Sequence, residues 1–342
     1  MVLPLAITGT GMVTGVGLSA PASCAAIRCA IDNFQETRFM DSGGEWIMGC
    51  EVPLEKPWRG RTKLIRMAAS AITEVLQGNA DIVPEQTPLL LCLAEQSRPG
   101  RVFEDDNQLF LDLQQELSLE FHEKSRVIAG GHVSVAIAFK HARELIHRLR
   151  IKHVIVAATD SLLVGPTLAH YEEAERLLTS NNSNGFIPGE AGAALVVESA
   201  AGLNGGYLCC EGLGFGVEKA HVDSEEPLKA DGLTAAIKES LADAGCEMGD
   251  LDFRITDISG EQYYFKEASL ALSRTLRKRK EEFDIWHPAD CVGEVGATLG
   301  LIILTIMKAA CEKRYSVGSR AIAHIGNDDG KRTSLILSWL SQ

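Results

Sequence analysis

The chain has 342 residues, with 33 Lys and Arg against 46 Asp and Glu, and a formal charge of −13. That length is more than one ordinary core carries, which favours two packed halves; 46% apolar and 23% charged residues exclude a disordered chain. The acidic balance argues against nucleic acid, because neutralising phosphates takes clustered Lys and Arg. The single basic run, Arg274 to Lys280, is interrupted at once by Glu281 and Glu282 and reads as a solvated helix face.

No apolar stretch approaches the ~20 residues that span a bilayer. The longest candidate, Gly296 to Met307, reads as a buried helix, and the N-terminus lacks the basic region of a signal peptide. Nine scattered cysteines show neither paired CxxC spacing nor a companion His cluster. The expectation is a reduced, cytoplasmic protein with no metal site and no cofactor. Gly9, Gly11, Gly15 and Gly17 do not make a GxGxxG fingerprint, so a tight turn is the better reading. Asp290, Asp328 and Asp329 read as turn caps rather than metal ligands.

In chain order, residues 5–9 predict a short buried strand closed by the turn Thr8-Gly9-Thr10-Gly11. Helical spacing follows over 20–31 and 66–76, and 88–93 is a continuous apolar strand. Strands apolar on both faces belong to sheets covered on both sides, which points to an α/β layer plan. Gly130-Gly131 opens a helix over 132–149, the strand 154–158 comes next, and a helix is expected over 168–178. The loop SNNSNGFIPGE then delivers the strand 191–197. From about Gly205 the plan restarts: strands near 207–213 and 253–258, helices at 233–244 and 265–279, the buried helix 296–311, and terminal strands at 321–325 and 333–340. Two halves, 1–200 and 201–342, packed as one body are the expected organisation.

Four segments together resemble the β-ketoacyl-ACP synthases of the thiolase superfamily. Residues 5–17 (LAITGTGMVTGVG) are similar to that family's opening ITGxGxVxxxG, and 127–146 resemble its nucleophile strand-to-helix turn, with Ser134 and Ala142 in place. Residues 185–198 (GFIPGEAGAALVVE) resemble GFxxGEGAGxLVLE, the most specific match. Residues 291–300 (CVGEVGATLG) resemble the GHxxGAAG turn, with Gly293 and Gly300 as its outer glycines. The resemblance implies a five-layer αβαβα fold of two similar halves. It also implies a two-fold dimer joined edge to edge by a strand of the first half, here expected at Val154 to Ala158.

The family's chemistry needs a Cys at a helix start, activated by the helix dipole, two His for decarboxylation and a supporting Lys. This sequence departs at each of these positions. His132 stands at the nucleophile's place, Ser259 is the best match for the first His, Glu294 replaces the second, and Ala289 replaces the Lys. The apolar GFGGTN gate has become Gly326-Asn327-Asp328-Asp329-Gly330. Ser134, Gly189, Glu190, Gly293 and Gly300 remain as scaffold.

The favoured expectation is a catalytically degenerate synthase-like protein with no catalytic residues, similar to the family's chain-length-factor subunits or acting as an adaptor. Its partners would be a second copy, a synthase-like subunit or an acyl carrier protein. Two alternatives are an acyl hydrolase or acyltransferase using Ser259, His132 and Glu294 with the histidine in the middle, and a non-catalytic acyl or acyl-CoA binder, which needs an open tunnel leading to His132.

Overall fold

Strands buried on both faces need helices on both sides, and the chain supplies them in order. A computed structural model describes residues 4–341. The first half runs β1 (Leu5–Thr14), α1 (Ala20–Arg28), a hairpin of β2 (Gln35–Met40) and β3 (Trp46–Gly49), α2 (Gly60–Gly78), β4 (Leu89–Leu93) and α3 (Asp106–Leu117). It continues with β5 (Arg126–Ala129), α4 (Ser134–Arg143), β6 (His153–Ser161), α5 (Gly165–Glu173) and β7 (Glu190–Ser199). The second half holds β8 (Tyr207–Val217), α6 (Asp231–Ala244), β9 (Phe253–Thr256), α7 (Gln262–Thr275) and β10 (Ile285–Trp286). It ends with α8 (Ala289–Val292), α9 (Leu299–Glu312), β11 (Arg320–Gly326) and β12 (Lys331–Leu340). Local chemistry starts these helices: Ser19 caps α1 by accepting from Ala22 N–H, and Asp105 caps α3 by accepting from Asn107 and Gln108. Among the described residues, no helix is long and apolar enough to cross a membrane.

Leaving the small hairpin aside, the strands lie in the order β5-β4-β6-β7-β1 and then β8-β12-β11-β9-β10. Each half therefore places its first strand beside its fifth, then its fourth, second and third. The directions also repeat: β1–β7 and β7–β6 are antiparallel, β6–β4 and β4–β5 parallel, and the second half follows the same scheme. The two halves join where Leu5 to Ile7 of β1 pair with Leu208 to Cys210 of β8.

Side-chain alternation with period two sorts the strands into layers. Leu90, Cys92, Val154, Val156, Leu195 and Val197 point into a central core shared with α4, α9 and the second half. Their neighbours Leu89, Leu91, Ile155 and Val196 pack on α2 and α3. In the second half Ile255, Ala323 and Leu335 face the same central core, while Ile322 and Ile336 face α6 and α7. The result is the five-layer αβαβα arrangement.

The outer helices come unusually close to the sheet, and glycine permits it. Gly212, Gly214 and Gly216 alternate along β8, and a Cβ on them would stand 2.1, 1.9 and 2.1 Å from the carbonyl oxygens of Ser240, Ala236 and Gly232 in α6. In the first half, a Cβ on Gly11 would meet the Ala71 carbonyl of α2 at 2.1 Å. This corrects the reading of Gly9 and Gly11 as a turn: β1 runs straight through both, with a bulge between Ile7 and Gly9, and Gly11 admits α2 while Gly9 leaves room for the Asn79 side chain that follows it.

Other expectations also shift. The segment 154–158 is no dimer edge, because β6 is paired on both sides by β7 and β4; the free edge of the first half is β5. The helix expected over 132–149 is a 3-10 turn, α4 and a closing π turn, and the helix expected over 168–178 ends earlier, at Glu173. The basic run leaves its helix at Thr275, so only its first residues are helical. The hairpin, α3 and the two-residue β10 add to the expected elements, although Leu109, Leu113 and Leu117 give α3 a helical spacing.

The close approach is testable. Gly214→Ala must push α6 off the sheet and should cost at least about 1–3 kcal/mol in a denaturant melt. Gly78→Ala, with nothing within 4 Å of its added carbon, should leave the midpoint unchanged or slightly raised.

Candidate functional site

Several polar residues of the site stand at strand ends. Glu95 follows β4, Asp160 lies near the end of β6, Asp257 follows β9 and Asn327 follows β11. In α/β layers these carboxyl ends are where ligands bind. His132 sits in the 3-10 turn Gly131–Val133 that leads from β5 into α4. Gly131 has φ +62°, and a Cβ there would meet the Glu95 carboxylate at 2.5 Å, so the turn admits no side chain before His132. Asn327 clamps the turn from the other half: its Oδ1 accepts from Val133 N–H at 3.2 Å, and its Nδ2 donates to the Gly130 carbonyl at 2.8 Å. The Ser134 hydroxyl completes the clamp by accepting from Gly130 N–H at 3.0 Å and donating to the Ile128 carbonyl at 3.2 Å.

Glu294 arrives from the opposite side. Its backbone N–H donates to the Ile187 carbonyl at 2.8 Å, and its carbonyl accepts from Gly189 N–H at 2.8 Å. The fit is close: a Cβ on Gly189 would meet the Val292 carbonyl at 2.4 Å, and one on Gly293 (φ +72°) the Ile187 carbonyl at 2.7 Å. A Cβ on Gly300 would stand 2.4 Å from Val135 of α4. Glu190 anchors the loop itself, accepting from Val52 N–H at 2.9 Å and the Ser161 hydroxyl at 2.8 Å while pairing with Lys63. The five residues expected as scaffold all make such contacts.

These two approaches bring His132 Nε2 to 2.7 Å from Glu294 Oε1. The same oxygen accepts from Gly296 N–H at 2.8 Å, and the Ser259 hydroxyl lies beside the carboxylate. Burial alone would raise the Glu294 carboxyl; the His132 charge and hydrogen bond, Gly296 N–H and Ser259 outweigh it and hold it below the usual range. Burial pulls His132 down, yet the charge and hydrogen bond of Glu294, with Asp257 beyond, raise it to about 10. Asp257, whose Oδ2 accepts from Gly326 N–H at 2.8 Å, is lifted by burial to about 6 despite the nearby imidazolium.

Two further ionic groups frame the pair. Arg98 bridges Asp160 at 2.6 Å and Glu95 at 2.7 Å, and Ala297 N–H donates to the same Asp160 oxygen at 2.8 Å. Arg176 bridges Glu261 at 2.7 Å and Asp328 at 2.9 Å, and Asp328 also accepts from the Tyr264 hydroxyl at 2.6 Å and the Tyr171 hydroxyl at 3.1 Å. Burial would raise the Asp328 carboxyl, but Arg176 holds it far below the usual range. What remains open between these groups is a cavity of about 20 Å³, lined among others by His132, Ser259, Glu261 and Asp328. A single water needs about 10–15 Å³.

The structure thus brings His132, Ser259 and Glu294 together, in a different order from the expected Ser-His-Glu relay. Glu294 is the central group, and among the described residues Ser259 makes no hydrogen bond to His132. An imidazolium at neutral pH accepts no proton from a serine. Ala289 is buried in α8 and does not line the cavity, and no cysteine lines it either. Burial raises the buried thiols, Cys50 being pushed up to about 12. Among the described residues no cluster of His, Cys, Asp or Glu is arranged to hold a metal ion. Sequence reading missed Glu95, Arg98, Asp160, Arg176, Asp257, Glu261 and Tyr264, and took Asp328 for a turn cap. A usable signal was the lone acid at the end of a buried strand, as at Asp160, or directly after one, as at Asp257.

Comparison with known proteins places the architecture. No protein-family model matches the chain, and no curated protein does. Solved structures do. The ishigamide ketosynthase/chain length factor aligns with a TM-score of 0.80 at 16% identity, covering 99% of each chain. A ketosynthase structure, AntDE:AntF, described as a type II PKS acyl-carrier protein in complex with its ketosynthase, aligns at 0.80 and 13% identity, covering 99% of this chain and 100% of that one. A beta-ketoacyl synthase from Burkholderia phymatum STM815 aligns at 0.74 and 16% identity, with coverage of 99% and 100%. The fold is the thiolase-type fold of the β-ketoacyl synthases, over the whole chain.

The pair can be tested through its pH dependence. His132 has an ordinary value of 6.5 unfolded and about 10 folded. Its contribution to stability is therefore complete below pH 6.5 and is lost as the pH climbs through about 10. Subtracting the stability curve of His132→Gln from that of the wild type should leave this alkaline decline; two parallel curves would show that the imidazole carries no extra proton. Glu294→Ala, which strands the imidazolium, should cost about 3–5 kcal/mol.

Proposed function

We propose that this chain is a catalytically degenerate β-ketoacyl-synthase-like protein that works by binding a partner, as an accessory subunit of the chain-length-factor kind or as an adaptor. The observation that carries the reading is the ion pair of His132 and Glu294 at the place where the resemblance puts an acyl-accepting cysteine and its histidine. The space beside that pair, about 20 Å³, has room for water and none for an acyl chain. Complexes of a ketosynthase with a chain length factor are among the structures of this fold, including ApeO with ApeC from Xenorhabdus doucetiae at a TM-score of 0.73 and 13% identity.

The partner reading also draws on the free edge of β5, Arg126–Ala129, whose unpaired backbone suits edge-to-edge pairing with a second copy or a synthase-like subunit. Residues 1–200 and 201–342 would then act as one rigid body, and the nine free cysteines fit a reduced, cytoplasmic setting. A hydrolase built on Ser259 would need the serine on the imidazole, and an acyl binder would need a tunnel. Neither feature supports those alternatives.

Incubation with acyl-CoA of several chain lengths, followed by intact-protein mass measurement, tests this reading. The expected spectrum is that of the unmodified protein at every chain length. A protein carrying one acyl group, or turnover of the thioester that disappears in Ser259→Ala, would overturn it.

A further inference from the structure

A second feature lies outside the site, where the β2–β3 hairpin stands next to the loop after α5. Between them runs a groove of about 450 Å³, with Trp46 and Ile47 on one wall and Leu178 and Ile187 on the other. Two of its apolar walls are open to solvent, Trp46 being 46% and Leu178 37% exposed, and Met40, the cross-strand partner of Trp46, is 54% exposed although it does not line the groove. Large exposed apolar groups that cluster, rather than occurring singly, mark interaction surfaces. Tryptophan is the side chain most often found at the energetic centre of such surfaces.

The rim carries one sign of charge. Glu36, Asp41 and Glu45 border the groove, and an adjoining hollow of about 270 Å³, which shares Asp41 and Thr179, adds Glu172 and Glu175. None of these five carboxylates forms an ion pair among the described residues. The hairpin's own cation, Arg38, stacks on the Phe39 ring at 4.6 Å and does not line the groove. An apolar slot ringed by uncompensated carboxylates, on a chain of net charge −13, repels nucleic acid and anionic lipid surfaces and attracts cations.

We propose that this groove is a docking site for an extended basic segment of a partner protein, with a large apolar side chain seated between Trp46 and Leu178 and flanking Lys or Arg facing Glu36, Asp41 and Glu45. The inference rests on the partner-binding reading above and specifies the partner's chemistry. The groove wall also touches the site, since the Ile187 carbonyl accepts the Glu294 N–H at 2.8 Å.

The probe is a short fluorescent peptide alternating Leu and Lys, titrated with the full chain and followed by anisotropy, with a Leu/Glu peptide as control. Four proteins are compared after their thermal midpoints have been matched to within a few degrees. These are the wild type, Trp46→Ala, the groove variant Glu36→Gln/Asp41→Asn/Glu45→Gln, and a remote variant of equal charge, Glu225→Gln/Glu226→Gln/Glu281→Gln. Binding of the Leu/Lys peptide should weaken by about tenfold or more in Trp46→Ala and in the groove variant, and change little in the remote one. Equal losses in the two charge variants would reduce the effect to overall charge and overturn the proposal. So would an unchanged affinity in Trp46→Ala, or a wild type that binds neither peptide. Failure here with the acyl-CoA spectra still unmodified removes the groove and leaves the accessory-subunit reading standing.

Discussion

The carboxylate of Glu294 crosses the seam between the two halves to meet the imidazole of His132, and the rest of the site is arranged around that contact. One partner belongs to the turn before α4 in the first half, the other to the turn after α8 in the second. Taking both charges out of water is costly unless each finds its counterion and hydrogen bonds. The chain meets that demand with backbone: Gly296 N–H binds the carboxylate, Asn327 pins the histidine turn, and the Gly189 loop pins Glu294. Gly131 leaves the histidine turn room beside Glu95 and Asn327, and Gly189 and Gly293 let the Glu294 turn lie against the 187–189 loop with no space for a side chain.

The same logic extends outward. Three cations, His132, Arg98 and Arg176, are set among Glu294, Asp257, Glu95, Asp160, Glu261 and Asp328. Each arginine takes two carboxylates, and the excess acid is relieved by raising Asp257 and by hydroxyl donors from Tyr171 and Tyr264. Buried networks of this kind add little net stability, but they enforce one geometry because a half-satisfied version is so unfavourable. In a scaffold whose relatives by fold include synthases, an interlocked set of charges occupies the strand ends and leaves room for water alone.

Much of this was legible from the residues. Continuous apolar strands such as 88–93 and 154–158 required helices on both faces, and the glycine-rich segments at 185–198 and 291–300 marked where the loops close. The identity of His132 and Glu294 as neighbours also followed from the matched turns. The order of the cluster did not, since spacing along a chain says nothing about which of three groups stands in the middle. Arg98 and Arg176 were hidden for a related reason: each lies in a loop whose destination is set by tertiary packing, far from its partners Asp160 and Glu261 in sequence. The β1 glycines misled because a close helix contact and a tight turn call for the same residue, and only the path of the chain distinguishes them.

The charge state of His132 is the most direct test of the account. Selective isotope labelling of histidine and a pH titration followed by NMR would read both ring nitrogens of this residue. A buried imidazolium paired with Glu294 should keep both nitrogens protonated through neutral pH and begin to release its proton only toward about pH 10. A neutral ring titrating near its ordinary 6.5 would contradict the account, for the site would then hold a free base beside a serine instead of a closed ion pair.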